Sequence, residues 1–320
     1  MNPKEKDSRN NNNKRWGNRF IDKRNWKSYN EELVVRGEFL LPIDMFDNWY
    51  EELDKMNEGK KGRPYEFPES FIKIQAVWHQ QWVDYRGLEG IASSLERICL
   101  IPYHHDDYTT IWHRVHDMRP EIKPPTYDEV EAGSDATGFK SGHAGEYTTY
   151  VYGNLRRKYV KVIITADVRT KKLLAVDVKI GEVSEPKVAA KHIKLLKEKG
   201  IKLKKFYGDG AYDTNEIFNV IGDAESAIKI RKNATTYRCR GSMRRRQEVR
   251  EYMKLGYKTW AKRVKYGLRW AIEGIFSSIK RKFGEDLRAR SVIGLLAEAM
   301  QKVWAYDVMV SYAKNAMLMA

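Results

Sequence analysis

Residues 260–283 read WAKRVKYGLRWAIEGIFSSIKRKF, a stretch without proline. Its apolar residues recur at three- and four-residue intervals, which predicts one continuous helix of about six turns. At about 100° per residue, Tyr266, Arg269, Glu273 and Lys280 share an arc of about 60°. Leu268, Ile272, Ile275 and Ile279 form an apolar stripe on the opposite side. Taken alone, this is an ordinary amphipathic helix whose Arg269–Glu273 pair contributes about 0.2–0.5 kcal/mol. Its meaning depends on what stands upstream.

Two acidic motifs precede it: Gly133-Ser134-Asp135-Ala136-Thr137-Gly138 and Tyr207-Gly208-Asp209-Gly210-Ala211-Tyr212-Asp213. β-rich runs such as Tyr159 to Ile164 and Leu173 to Val178, punctuated by Gly181 and Pro186, predict strands near 131–139, 158–168, 172–180, 202–208 and 225–230. Helices are predicted over 186–198 and 213–221. The result is a mixed α/β layer. It places Asp135 within a strand, Asp209 at a strand's C-terminal end and Glu273 midway along a helix. An Asp beside Gly is ordinarily a turn residue, and Asp167, Asp177 and Asp213 are competing acids, Asp213 reading as a helix N-cap.

From 37 to 118 the pattern is helical. Leu88, Ile91, Leu95 and Ile98 mark one buried face, Pro102 breaks the run, His104 to Asp107 form a polar turn, and a short helix follows from Tyr108 to Asp117. In that helix Ile111 and Val115 point inward, with Thr110, His113 and Arg114 outward. This is the outline of a helix-turn-helix, whose second helix would offer Arg114 to DNA, although two packed helices with a polar outer face describe a plain bundle equally well. Pro120, Pro124 and Pro125 make Arg119 to Tyr127 a linker. The chain therefore divides into a basic, partly disordered arm (1–30, with Trp16, Phe20 and Trp26 as docking points), a small all-α domain (31–125) and an α/β domain (126–320).

The net charge of +16 and pI near 9.5 make a polyanion the natural partner. The charge is concentrated: between Lys229 and Lys265 stand 14 Lys or Arg against two Glu. Tyr237, Tyr252, Tyr257 and Trp260 interleave with them, the composition of a surface that tracks a phosphate backbone, so Arg244, Arg245 and Arg246 are candidate DNA contacts in a basic insertion near 229–262. Cys99 and Cys239 have no zinc-site spacing and fit a reducing compartment. His104, His105, His113, His116 and His143 lack acidic partners at a useful spacing and read as solvated side chains. With no signal-like N-terminus and no long apolar run, the expectation is a soluble, cytoplasmic, nucleoid-associated protein.

The spacing of Tyr266, Arg269, Glu273 and Lys280, together with the two upstream motifs, resembles insertion-sequence DDE transposases of the IS-five-like group and their Y-R-E-K signature. The resemblance covers roughly residues 130–310. It implies a ribonuclease H-like mixed sheet flanked by helices, preceded by the all-α domain, with Asp135, Asp209 and Glu273 as catalytic, metal-binding carboxylates. Two Mg²⁺ ions, with Mn²⁺ as substitute, suit such oxygen ligands. Asp135 would bridge them while Asp209 and Glu273 each bind one; water would first free a 3′-hydroxyl, which would then attack target DNA. Arg269 and Lys280 would hold phosphates, and Tyr266 would position the strand. The implied partner is double-stranded DNA, both element ends and target, bound by a homodimer or higher oligomer. A ribonuclease H-like nuclease that cuts without joining, or a non-catalytic DNA-binding regulator, are the alternatives.

Overall fold

The computed structural model describes residues 14–15, 18–19 and 25–319, the latter without 43, 99, 102–103, 124, 126, 142–158, 182 and 237–240. Trp16, Phe20, Cys99, Pro102, Pro124, His143, Tyr237 and Cys239 lie outside the described residues. Apart from a two-residue pair, β1 (Lys14–Arg15) with β2 (Asn18–Arg19), the strands form one six-stranded sheet. Its centre is β3 (Glu129–Ser141), antiparallel to β4 (Tyr159–Asp167), which is antiparallel to β5 (Leu173–Ile180). On the other side β3 runs parallel to β6 (Lys202–Gly208), and β6 parallel to β7 (Glu225–Ile228). A short β8 (Asp286–Leu287) extends the far end of β3.

The order β5-β4-β3-β6-β7, three antiparallel strands followed by two parallel ones, is the ribonuclease H-like mixed sheet. Parallel neighbours need helical crossovers, and α7 (Glu185–Glu198) and α8 (Asn215–Ile221) supply them. They cover one face, where Ala132, Phe206, Ala189 and Ile193 are buried. The other face is covered by α10 (Trp270–Phe283) and α11 (Val292–Met319). Gly133 is needed here, since a Cβ on it would overlap the Ile272 side chain; its absence lets α10 settle against β3.

Residues 260–283 are not one helix. The basic helix α9 (Met243–Arg263), kinked at Gly256, ends before Lys265, whose φ of 50° is left-handed. A 3-10 turn, Tyr266–Arg269, follows, and α10 starts only at Trp270. The left-handed residue costs about 1–2 kcal/mol, against which Tyr266 buries its ring beside Trp260, 5.1 Å between centroids. The wheel thus holds for Ile272, Ile275 and Ile279, all buried, but not for Tyr266, which is packed inward at 7 % exposure.

The helices before the sheet are α1 (Trp26–Glu38), α2 (Asp44–Asp47), α3 (Trp49–Asn57), α4 (Glu69–Gln80), α5 (Tyr85–Arg97) and α6 (Tyr108–Asp117). Asp84 and Asp107 cap α5 and α6 through their side chains. Leu88 and Leu95 are buried as the spacing predicts, but Ile98 follows the helix end and is exposed. Arg114 does not point outward: it lies over the Tyr65 ring and bonds to Phe67 O and Glu69.

These helices share a core with α11. The buried Gln301 of α11 donates to Val115 O at 2.9 Å and accepts from Gln80 at 2.9 Å. The buried Lys302 donates to Phe283 O at 2.9 Å and Asp286 O at 2.6 Å, satisfying carbonyls at the end of α10 and just beyond it. No helix among the described residues is long and apolar enough to cross a membrane.

Candidate active site

Asp135 lies in β3 on the face that carries Gly133, since side chains alternate along a strand, and so looks toward α10. Asp209 follows the last residue of β6, its carboxylate accepting the Ala211 N–H at 2.7 Å to start the 3-10 turn Gly210–Tyr212. Glu273 stands on the first turn of α10, and Arg269 one turn before it.

Arg269 ties the strand to the helix. Its guanidinium is 3.7 Å from Asp135 and ion-paired with Glu273. Burial pushes the Asp135 carboxyl above the usual carboxylate range; Asp209 and Glu273 add to the rise, while the Ala136 N–H and Arg269 oppose it. Arg269 thus joins Asp135 to Glu273, and Asp209 acts on Asp135 through its charge. Burial disfavours a charged Arg269, but Tyr266, Glu273 and Asp135 outweigh it and hold its pKa above the ordinary value. Tyr266 lies under that guanidinium, 5.8 Å from ring centre to Cζ, and burial lifts its phenol to about 12.

The donor set fits a hard divalent cation in kind, three carboxylates offering only oxygen. Among the described residues, however, no three His, Cys, Asp or Glu side chains stand arranged around one point, and Arg269 lies against both Asp135 and Glu273. Arg269 Nε and the Tyr212 hydroxyl are both buried without a hydrogen-bond partner.

Other candidates lie elsewhere or are engaged. Lys280, two turns beyond Glu273, faces Glu285 at 3.5 Å. Arg244 bonds to Ala224 O. Arg245 grips Asp213 with two bonds, 2.6 and 2.9 Å, and the Asp213 side chain is fully buried. Asp213 is therefore an ion-pair partner, and Thr214 caps α8 instead. Arg231 bonds to Gly210 O, Ala211 O and, through its backbone N–H, Asp213. Part of the basic segment thus braces the turn that carries Asp209. Asp167 is held by Tyr127 and Thr170, and Asp177 faces His192, away from the acids. His104 and His105 do have acidic partners, Glu66 and Glu96, brought close only by the fold.

Two residues near these acids gain no role from the sequence, Trp270 and, within the second acidic motif, Tyr212. Trp270 is 67 % exposed beside Arg269 and Glu273. The wheel held its signal, since Trp270 falls about 60° from Glu273 at the edge of the polar stripe. Tyr212 stands three residues after Asp209, and only the fold shows its ring buried behind that acid.

Residues 134–308, more than half of the chain, match the family model described as a transposase DDE domain, and residues 34–143 match a second model of the same description. Among solved structures the chain is similar to one titled as a cryo-EM structure of the piggyBac transposase synaptic complex with hairpin DNA. The identity is 11 % and the TM-score 0.39, over 90 % of this chain and 76 % of that one. The longer family match begins one residue before Asp135 and takes in Asp209, Arg269 and Glu273, and the chain belongs to the transposase DDE domain family.

Proposed function

We propose that this chain is an insertion-sequence transposase of the IS-five-like group, with Tyr266, Arg269, Glu273 and Lys280 as its Y-R-E-K residues. It binds the ends of its element, hydrolyses the DNA strand and joins the freed 3′-hydroxyl to target DNA. The observation that carries this reading is Arg269 lying against both Asp135 and Glu273, with the charge of Asp209 acting on the same Asp135. Asp135 and Glu273, 138 residues apart in the chain, have no structural need to meet beside one arginine, since clustering like charges costs stability.

Asp135, Asp209 and Glu273 would hold two Mg²⁺ ions, or Mn²⁺, which supply activation of a nucleophilic oxygen and stabilisation of the leaving one. Before loading, Arg269 neutralises two of the three carboxylates. Released from them, its planar donors, including the unpartnered Nε, suit a DNA phosphate. Tyr266 orients Arg269 from below, and the exposed Trp270 offers the stacking face. Arg244, Arg246 and the exposed cations Arg250, Lys254 and Lys258 of α9 give a basic flank for the backbone, with Arg245 acting through Asp213. The helices of 31–125, Arg114 among their residues, receive the element end, and two subunits pair two ends.

The test is Mg²⁺-dependent cleavage and joining of the element's own end DNA by the wild type and by Asp135→Asn, Asp209→Asn and Glu273→Gln. Each variant should lose both reactions while keeping DNA binding. Full activity in any of them overturns the assignment, and cleavage by the wild type without joining reduces the protein to a nuclease.

A further inference from the structure

Between α4, α5, α6 and the start of α11 lies an open cleft of about 330 Å³, its walls including His79, Tyr85, Trp112, His116 and Arg288. A second hollow of about 410 Å³ shares Tyr85 and Trp112 with it and adds Arg86 and Tyr108. Each is at the lower end of the roughly 300–1,000 Å³ of small-molecule sites, the size for one planar ring system. The walls are rings in mutual contact: Tyr85 stacks on His79 with centroids 4.1 Å apart, and Trp112 meets His116 at 4.2 Å. Large aromatic side chains stabilise a fold by being buried, yet Trp112 keeps 42 % and Tyr108 39 % of its surface exposed. The polar groups are sorted as well. His79 Nδ1 stands 2.8 Å from Val83 O, and His116 Nδ1 2.8 Å from Trp112 O. A carbonyl only accepts, so both imidazoles donate through Nδ1. Burial pushes His79 down to about 4, so its ring is neutral at pH 7 and offers Nε2 as an acceptor. The acids of the cleft are already engaged, Asp84 by the Gly87 N–H at 2.7 Å and Glu298 by the N–H groups of Arg288 and Ala289. That leaves the exposed Arg86, 4.8 Å over the Tyr108 ring, as the group to meet an outside charge.

We propose that this cleft receives one unpaired DNA base, its ring against Trp112 and Tyr85, an amino group on its edge toward His79 Nε2, and its phosphate on Arg86. Aromatic faces stack on any base, an imidazole acceptor suits the N–H groups that bases carry on their edges, and a cation beside the rings selects a nucleotide over an uncharged ring. The net charge of +16 brings a polyanion to the surface in the first place. The proposal rests on the reading of the 31–125 helices as the part that receives the element end, and deepens it by giving them a preference for DNA whose pairing is interrupted.

The experiment measures fluorescence anisotropy of two labelled duplexes on the full chain, in EDTA at fixed salt, the duplexes differing by one unpaired central adenine. The wild type should bind the interrupted duplex about tenfold tighter. Trp112→Ala should lose that preference and bind the paired duplex as before, while Trp112→Phe, which keeps a ring, should retain most of it. With 2-aminopurine as the unpaired base, its emission should fall on binding to the wild type and stay level with Trp112→Ala, a signature that a merely structural role of Trp112 does not produce. Equal wild-type affinities for the two duplexes overturn the proposal, and binding of free deoxyadenosine monophosphate in that case assigns the cleft to nucleotides. An unchanged preference in Trp112→Ala overturns it too, as does an equal loss on both duplexes with a lower unfolding temperature, which makes Trp112 a packing residue. A wild type that binds neither duplex overturns the DNA-receiving reading of these helices, and this proposal with it.

Discussion

Replacing Arg245 by Gln tests whether the basic segment serves the fold as well as a polyanion. Arg245 binds Asp213 through Nε and Nη2 at 2.6 and 2.9 Å, and the Asp213 side chain has no exposure while that of Arg245 has 19 %. Removing one partner of a buried pair strands the other charge, at about 3–5 kcal/mol. Asp213 keeps the backbone N–H of Arg231 at 3.0 Å, which places the expected loss at the lower end, about 3 kcal/mol. In a chain of this size that corresponds to a fall in Tm of roughly 4–5 °C. Urea unfolding followed by circular dichroism at neutral pH reads the loss directly. Because the penalty comes from the stranded carboxylate, Asp213→Asn combined with Arg245→Gln should recover part of it. An Arg245→Gln protein within about 0.5 kcal/mol of wild type, whose only defect is weaker DNA binding, would refute the reasoning and return Arg245 to the surface cations.

Two further outcomes follow from the same geometry. Changing the exposed Arg250, Lys254 and Lys258 of α9 to Gln should leave stability nearly unaltered and lower the slope of log binding constant against log salt, by up to about 0.9 for each phosphate that is no longer neutralised; an unchanged slope in a filter-binding series removes α9 from the DNA interface. Asp106 is buried before α6, one oxygen bonded to Gln75 at 3.0 Å and the other without a partner, and burial pushes its pKa up to about 6. Its folded value lies above the unfolded one, so the ionised form costs roughly 3 kcal/mol at pH 7, and that cost disappears as pH falls through 6 toward 4. Asp106→Asn should therefore be more stable than wild type at pH 7, with the gap closing at pH 4; a gap independent of pH would contradict the assignment.

The α/β layer was legible because its signals are local. Alternation and β-branched runs mark β4 and β5, Gly181 and Pro186 mark where a strand yields to α7, and the observed strands and helices fall within a few residues of the predicted ones. The three candidate carboxylates stand out by spacing and resemblance, and the positions of Asp135 and Asp209 relative to the strands follow from the same local pattern. The break at Lys265 was not legible. Nothing in its neighbourhood forbids a helix, and the left-handed turn is stabilised by burying Tyr266 against Trp260, residues that a continuous helix would hold apart. The internal partners of Arg114 and Arg245 were hidden for a related reason, since a cation looks alike in sequence whether it faces water or a buried Asp213, Glu69 or Tyr65.

By itself the sequence determined the order of strands and helices in the α/β layer, the amphipathic isoleucine stripe of α10 and the excess of positive charge, all properties of residues near one another in the chain. Only the tertiary structure decided that Arg269 lies against Asp135 and Glu273, that Arg231 and Arg245 brace the turn behind Asp209, that the early helices share a core with α11, and that the Tyr212 hydroxyl is left unbonded. The physical reason is one of range. Propensity and periodicity act over a few residues, whereas the partner of a buried charge or hydroxyl is chosen by packing between segments 20 to more than 100 residues apart, where desolvation and not local preference sets the cost.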